Sequence, residues 1–254
     1  MKTVTVRDNK SQRGAGIGFS AIIVLLAAGM FFGAGSQRAA GQGRFFFGLH
    51  GQGGTALGEF RNHLAGGFGG FHLEFHYAPV RASHFDVGLS FGFNIYGIER
   101  YEDYFSSRNA DFWIDMTTTN SMLNGLLSLR WRLGRGVLQP YVEGLVGFGI
   151  IRTETSADDN GDAWDQFRTE NLSDSYGVYG AGAGVMIVVL RVQGLEGRKI
   201  MEGMIDVRGR YLKGGRAEFL LEGGIRREEG LLVYDIRESR IDAWTILAGF
   251  LLRF

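Results

Sequence analysis

From residue 44 to the end of the chain, apolar and polar residues alternate over eight separate segments. A period of two is typical of β-strands, because successive side chains point to opposite faces. The segment 85–95, for example, sets Phe, Val, Leu, Phe, Phe and Ile against Asp, Gly, Ser, Gly and Asn. The predicted strands are 44–53, 71–77, 85–95, 123–133, 142–150, 176–190, 205–211 and 244–254. A tilted strand of about 9–11 residues crosses a bilayer, so the pattern predicts an antiparallel transmembrane sheet.

The connections between these strands alternate in length. Those at 78–84, 134–137 and 193–199 are short, whereas those at 53–63, 98–119, 152–174 and 213–241 are long and polar. Short turns on one side and long loops on the other are typical of outer-membrane barrels, with both chain ends on the short-turn, periplasmic side. The segment 213–241 predicts a hairpin outside the membrane; the alternative is two more membrane strands, ten in all.

Charged side chains share one parity of the predicted strands. This set comprises Glu74, Asp86, Arg130, Arg132, Glu143, Asp206, Arg208, Arg210 and Arg253. A sheet that spans a bilayer must close so that its backbone is paired. The apolar parity then contacts lipid and the charged parity fills the interior. Candidate aromatic girdles are Phe45, Phe47, Tyr77, Phe85, Trp131 and Phe254 at one interface and Tyr211 and Trp244 at the other. The alternative is a soluble sandwich or lipocalin-like barrel with the apolar residues inside.

The predicted interior sets four acids against five arginines. An eight-stranded barrel is just wide enough to be filled by its own side chains. Because an unpaired buried charge is costly, these groups are expected to pair. The favoured interpretation is a structural plug of ion pairs, and the alternative is a narrow path for ions or small solutes.

Composition excludes several classes of protein. The chain has 41 Gly in 254 residues, 2 Pro and no Cys, so no disulfide or thiolate metal site is expected. It has 27 basic and 27 acidic residues, which gives no reason to expect nucleic-acid binding. Residues 1–36 carry four bases, an apolar run at 21–32 and then small residues, which predicts a signal peptide before a barrel domain at 37–254. An uncleaved anchor over 17–34 is the alternative.

The last ten residues, TILAGFLLRF, combine a glycine, alternating apolar residues and a final aromatic. They resemble the carboxy-terminal assembly signal of bacterial outer-membrane proteins, carried here by Gly249, Phe250, Leu252 and Phe254. The segment 43–254 as a whole resembles the small OmpA/OmpX-type outer-membrane β-barrel family. That resemblance implies a closed eight-stranded up-and-down barrel in a Gram-negative cell envelope. It also implies contact with membrane lipid and lipopolysaccharide, and with the barrel-assembly machinery through the last strand.

No motif in the sequence indicates a cofactor, metal or catalytic site. His72 and His76 stand roughly 13 Å apart on one strand face, too far to share a zinc ion, so lumen hydrogen bonding is expected. The Asp-rich segment 158–165 has its glycine at the fourth position, not the sixth that an EF-hand requires. Gly180 to Gly184 predicts a strand of small side chains rather than a phosphate loop.

Resemblance to this family does not indicate which function the protein has. The leading hypothesis is a non-enzymatic barrel with a structural or surface-interaction role, in which the long loops contact an extracellular partner. The alternatives are a narrow pore, and a lipid-modifying enzyme that uses His76.

Overall fold

A computed structural model describes residues 2–5, 44–64, 66–79, 84–107, 110–158, 167–193, 200–228 and 231–254 of the chain. The strands are β1 (Lys2–Thr5), β2 (Arg44–Leu57), β3 (Gly67–Ala78), β4 (Phe85–Ser107), β5 (Ala110–Arg132), β6 (Leu138–Asp158), β7 (Phe167–Gln193), β8 (Ile200–Gly214), β9 (Arg216–Glu228), β10 (Leu231–Arg240) and β11 (Asp242–Arg253). A one-turn helix, α1 (Gly58–Arg61), follows β2. In the described part of the chain, no helix is long and apolar enough to span a bilayer.

Eight of these strands close into a barrel in the order β11-β2-β3-β4-β5-β6-β7-β8. All neighbours are antiparallel, and β11 pairs with both β2 and β8. Reciprocal backbone hydrogen bonds join the two chain ends of the barrel, from Phe45 N to Phe254 O (2.9 Å) and from Phe254 N to Phe45 O (3.1 Å). The prediction of a closed eight-stranded barrel is confirmed, and the ten-stranded alternative is wrong.

The predicted outward parity is apolar in the structure. Phe85 and Trp131 stack on neighbouring strands with ring centroids 5.9 Å apart, and Phe45 contacts both Tyr77 and Phe254. Exposed apolar side chains continue around the exterior on every barrel strand, among them Leu49, Phe71, Val87, Leu127, Val146, Tyr179, Val207 and Phe250. A water-soluble sandwich or lipocalin-like barrel would bury this face, so that alternative is wrong.

The described residues of the segments 98–119 and 152–174 form strands rather than loops, and this part of the sequence-based prediction is corrected. β4 and β5 have 23 residues each and pair up to Ser107 and Ala110, with one register shift between Ile95 and Gly97. β6 and β7 extend in the same direction, with 21 and 27 residues. β5 also pairs with β6 up to Asp115 and Asp158. These four strands form a wall that rises above the end of the barrel opposite the chain ends; we refer to this end as the upper end.

A small cap covers the upper end. β9 and β10 form a hairpin outside the barrel sheet, as predicted for 213–241, and β1 adds to the outer edge of β10. Gly58 has a φ of 56°, a left-handed conformation that turns the chain from β2 into α1. The helix places Phe60 against Phe219 of β9 and Tyr96 of β4, at centroid distances of 5.3 and 6.0 Å. The cap thus packs onto the apolar top of the barrel interior.

The interior has three layers along the barrel axis. The upper layer is apolar and is formed by residues such as Phe68, Met122, Leu126, Leu145, Val178 and Leu212, together with the cap. The lower layer is also largely apolar and contains Phe46, Met186, Val188, Met204 and Leu251. The charged side chains lie between these layers and at the lower end. The predicted signal peptide beyond residue 5, most of the turns at 78–84 and 193–199, and most of the segment 158–165 fall outside the described residues.

Candidate functional site: the charged interior of the barrel

Strand alternation places the charged groups in the interior. On β8, Asp206, Arg208 and Arg210 all point inward because they are two residues apart. The antiparallel register aligns Arg130 of β5 with Glu143 of β6, so opposite charges come from directly opposed positions. The local sequence therefore fixes which side chains enter the interior, and the register fixes which of them meet.

Glu74 and Glu143 form the centre of the cluster with three arginines. Arg208 Nη1 lies 2.6 Å from Glu74 Oε2, and Arg130 Nη2 lies 3.2 Å from Glu74 Oε1. Arg210 Nε donates to Glu143 Oε1 at 2.6 Å, and Arg130 Nη2 lies 3.3 Å from Glu143 Oε2. Arg130 therefore bridges the two carboxylates.

Asp206 extends the cluster to two residues that the sequence analysis did not assign. His50 Nε2 lies 3.0 Å from one Asp206 carboxylate oxygen, and the Tyr141 hydroxyl donates to the other at 2.7 Å. Arg208 Nε also lies 3.3 Å from Asp206. His72 takes part through Arg210, with 3.0 Å between Nε2 and Nη1, which gives the predicted lumen hydrogen-bonding role a specific partner.

Asp86 and Arg132 form a second group lower in the barrel, with 3.0 Å between Oδ2 and Nε. His76 joins this group to the centre. Its Nδ1 lies 2.9 Å from Asp86 Oδ1, and its Nε2 lies 3.5 Å from Glu74 Oε2. The arrangement is a continuous network rather than a set of separate pairs.

Arg253 lies apart from the centre and pairs with Glu202, a residue that the sequence analysis missed. It also donates to Gln139 Oε1 at 3.2 Å. The guanidinium groups of Arg132 and Arg253 both lie over the Phe46 ring, 5.3 and 5.7 Å from its centroid.

With Glu202 included, the buried charged side chains of the described interior are five carboxylates (Glu74, Asp86, Glu143, Glu202, Asp206) and five guanidiniums (Arg130, Arg132, Arg208, Arg210, Arg253).

Small residues on β7 make room for this network. A Cβ atom at Gly182 would lie 3.0 Å from both Arg210 Cγ and Glu143 Oε1. One at Gly184 would lie 2.5 Å from Arg208 Cβ and 2.7 Å from the Tyr141 ring. Gly182 and Gly184 therefore face the charged cluster.

His50, Glu74 and Asp206 are the one group among the described residues whose atoms could share a metal ion, since their ligand atoms lie within 4.8 Å of one another. The Arg208 guanidinium already contacts all three, at 3.1 Å from His50, 2.6 Å from Glu74 and 3.3 Å from Asp206. A cation placed there would meet a fixed positive charge. These residues therefore do not fit a metal.

Ser128, His76 and Asp86 have the order of a hydrolase triad. Ser128 Oγ lies 3.4 Å from His76 Nε2, and Asp86 contacts His76 Nδ1. All three are at most 2% exposed and point into the barrel, whereas a lipid substrate would meet the outer surface. The Ser128 hydroxyl therefore faces the barrel interior and not the outer surface.

No family model and no curated protein matches the chain. It is similar in fold to a number of solved structures, among them the following three. One is Ail, the attachment invasion locus protein of Yersinia pestis, with 16% identity, 85% of this chain and 100% of that chain covered, and a TM-score of 0.38. Another is Neisserial surface protein A, with 13% identity and a TM-score of 0.40; the alignment covers 84% of this chain and 98% of that chain. The third is OprG of Pseudomonas aeruginosa, with 12% identity and a TM-score of 0.37; the alignment covers 86% of this chain and 99% of that chain.

The class of the protein follows from its own architecture. A closed sheet leaves no unpaired edge within the bilayer, and only the exterior of this barrel is apolar enough to contact lipid. The interior carries the charges, as in barrels of the outer membrane. The chain is therefore a small eight-stranded transmembrane β-barrel of the architecture found in bacterial outer membranes.

Proposed function

We propose that the protein is a non-enzymatic outer-membrane barrel whose interior is plugged and whose functional surface is extracellular. The observation that carries this proposal is the balance of five buried carboxylates and five buried guanidiniums, whose central cluster lies between two apolar layers. A hydrated path would need to part ion pairs whose closest atoms are 2.6 Å from each other, and to open both apolar layers. Such pairs are costly to separate inside a low-dielectric interior.

The wall formed by β4–β7 supports a surface-interaction role. The flanking strands β3 and β8 have 12 and 15 residues, whereas β4 and β5 have 23 each. At about 3.3 Å per residue, the additional residues extend the sheet by roughly 30 Å beyond the barrel. This rigid projection would present an extracellular partner with a sheet rather than with mobile loops. Lipid and lipopolysaccharide would contact the apolar exterior, and the assembly machinery would contact β11.

Planar-bilayer recording tests the plug. Wild-type protein should insert without steady conductance, while a known porin in the same preparation provides the positive control. Insertion is checked by the shift of tryptophan emission. Discrete conductance steps in the wild type that change in Arg130→Ala or Glu74→Ala, but not in the exposed variant Glu154→Ala, would support the narrow-pore alternative instead.

Lipid turnover tests the non-enzymatic part of the proposal. Folded protein in mixed micelles should release no fatty acid from phospholipid or lipid A. Release that persists through purification and is abolished by both Ser128→Ala and His76→Ala would establish the hydrolase alternative. Release that is unchanged in both variants would point to a contaminating enzyme, which a second purification in a different detergent would remove.

A further inference from the structure

We propose that the mature protein self-associates through the outer edge of β10, which pairs antiparallel with β10 of a second copy. This inference deepens the proposed surface-interaction function, since it names a second copy of the chain as the partner. It concerns the β9–β10 hairpin and not the barrel interior, so its test is independent of the conductance measurement.

The outer edge of β10 is able to accept a strand. Lys2–Thr5 pairs there in a regular antiparallel register, with Lys2 opposite Ile236 and Thr5 opposite Val233. The other edge of β10 is occupied by β9. Because residues 1–36 are predicted to be removed on export, this outer edge is vacated in the mature chain. A vacant edge presents unpaired backbone donors and acceptors, which favour pairing with another strand.

The charges on this edge are self-complementary. Asp235 and Arg237 lie on one face of β10, with 3.1 Å between Asp235 Oδ1 and Arg237 Nε. An antiparallel pair centred on Ile236 places Asp235 of each copy opposite Arg237 of the other. Each of the four charges then has an opposite charge both along its own strand and across the interface, an arrangement that stabilises strand pairs.

Centring the pair on Asp235 places the two aspartates opposite each other, and centring it on Arg237 places the two arginines opposite each other. Centring it on Ser239 pairs Glu238 with Arg240, but this register joins only residues 238–240 of the two strands. The register centred on Ile236 joins residues 232–240 and pairs opposite charges, so charge and length together favour it. An unrelated extended peptide would gain the backbone hydrogen bonds, but it would match these charges only by chance, which favours a second copy as the occupant.

A single-cysteine variant tests the register, because the native chain contains no cysteine. In Ile236→Cys the two thiols would lie at directly opposed positions, about 4.5–5.5 Å apart at Cα, within disulfide range. Protein is extracted from the outer membrane into detergent, oxidised, and analysed on a non-reducing gel. In detergent, the two copies are not held in one membrane plane, so they can adopt whatever relative orientation the strand pairing requires. A cross-linked dimer is expected in Ile236→Cys. In Arg240→Cys the same register separates the thiols by about 27 Å, so no dimer is expected.

Charge exchange tests the pairing without cysteine. Asp235→Arg or Arg237→Asp alone should raise the dimer Kd roughly tenfold or more, because two attractive pairs become repulsive. The double exchange should restore the wild-type Kd, measured by light scattering at matched concentrations. Heat-modifiable gel migration confirms that each barrel is folded.

Several results would overturn the proposal. One is a folded Ile236→Cys protein that forms no cross-link, and another is a cross-link that forms equally in Arg240→Cys. A third is an intact mass showing that membrane-extracted protein retains residues 2–5, because the edge would then be filled. A monomeric protein that binds an unrelated extended peptide at β10 would identify a different occupant.

Discussion

Arg208 and Glu74 meet in the middle of the barrel, with 2.6 Å between Nη1 and Oε2, and both side chains are fully buried. Glu74 also contacts Arg130 at 3.2 Å, and Arg210 lies 3.9 Å away. One carboxylate thus compensates several guanidiniums that cannot reach water. The stability of the barrel depends on keeping this set complete, since a buried charge without its partner is far more costly than an intact network.

Replacement of Glu74 with Gln should destabilise the barrel strongly. The variant keeps the shape of the side chain but removes the charge that Arg208 and Arg130 face, so a loss of about 3–5 kcal/mol in the free energy of unfolding is expected. The matched control is Glu154→Gln, because Glu154 forms an exposed pair with Arg152 at 3.2 Å. That change should cost less than about 1 kcal/mol. Urea unfolding in phospholipid vesicles measures both values, and equal losses would contradict the role given to the interior network.

A side chain at Gly184 should disturb the network by a different route. Its Cβ would lie 2.7 Å from the Tyr141 ring and 2.5 Å from Arg208 Cβ, so Gly184→Ala forces both groups to move. A loss of about 1–3 kcal/mol is expected from overpacking. Ala183→Val, one residue away on the outward face, should be nearly neutral. A tolerated Gly184→Ala together with a destabilising Ala183→Val would reverse the assigned faces of β7.

Phe60 should stabilise the packing of the cap and should not affect the stability of the barrel. It is fully buried between Phe219 and Tyr96, whereas its neighbour Glu59 is exposed. In Phe60→Ala the amides of α1 and β9 should exchange hydrogen at least tenfold faster, because the apolar contact that fixes the cap is lost. The amides of β2–β8 within the barrel should keep wild-type protection, and Glu59→Ala should change neither set. Uniformly faster exchange throughout the barrel would mean that the cap and the barrel unfold together.

The sequence predicted the barrel well because a bilayer constrains each strand face separately. Within the membrane one face contacts lipid and the other faces the interior. Apolar and polar residues therefore alternate in the sequence of segments such as 85–95 and 123–133. The central charges Glu74, Glu143 and Arg208 share the parity that this constraint assigns to the interior.

The prediction is weaker where the lipid constraint ends. Lipid imposes no alternation on a strand above the membrane, so the sequence 98–119 resembles a loop. Glu202 lies before the alternating part of β8, and its inward position depends on the register with Arg253 of β11. Phe60 is assigned to the core only by tertiary contacts with residues distant in sequence. Extending the parity by three residues beyond each apolar segment would have found Glu202.

The contact of the exterior with lipid predicts a cost that depends on depth. Leu127 lies midway along the apolar face of β5, opposite Leu89 and Val146, and Leu133 directly follows the lower end of that strand. Both side chains are about half exposed, so a protein surrounded by water would tolerate a charge equally well at either position. In a bilayer, Leu127→Arg should cost about 2–4 kcal/mol and Leu133→Arg only about 0–1 kcal/mol, because a strand end lets the guanidinium reach the headgroups. Chemical unfolding in vesicles measures the difference. Equal values for the two variants would place the two positions at the same depth or outside the hydrocarbon region, and would contradict the membrane-spanning assignment of β5.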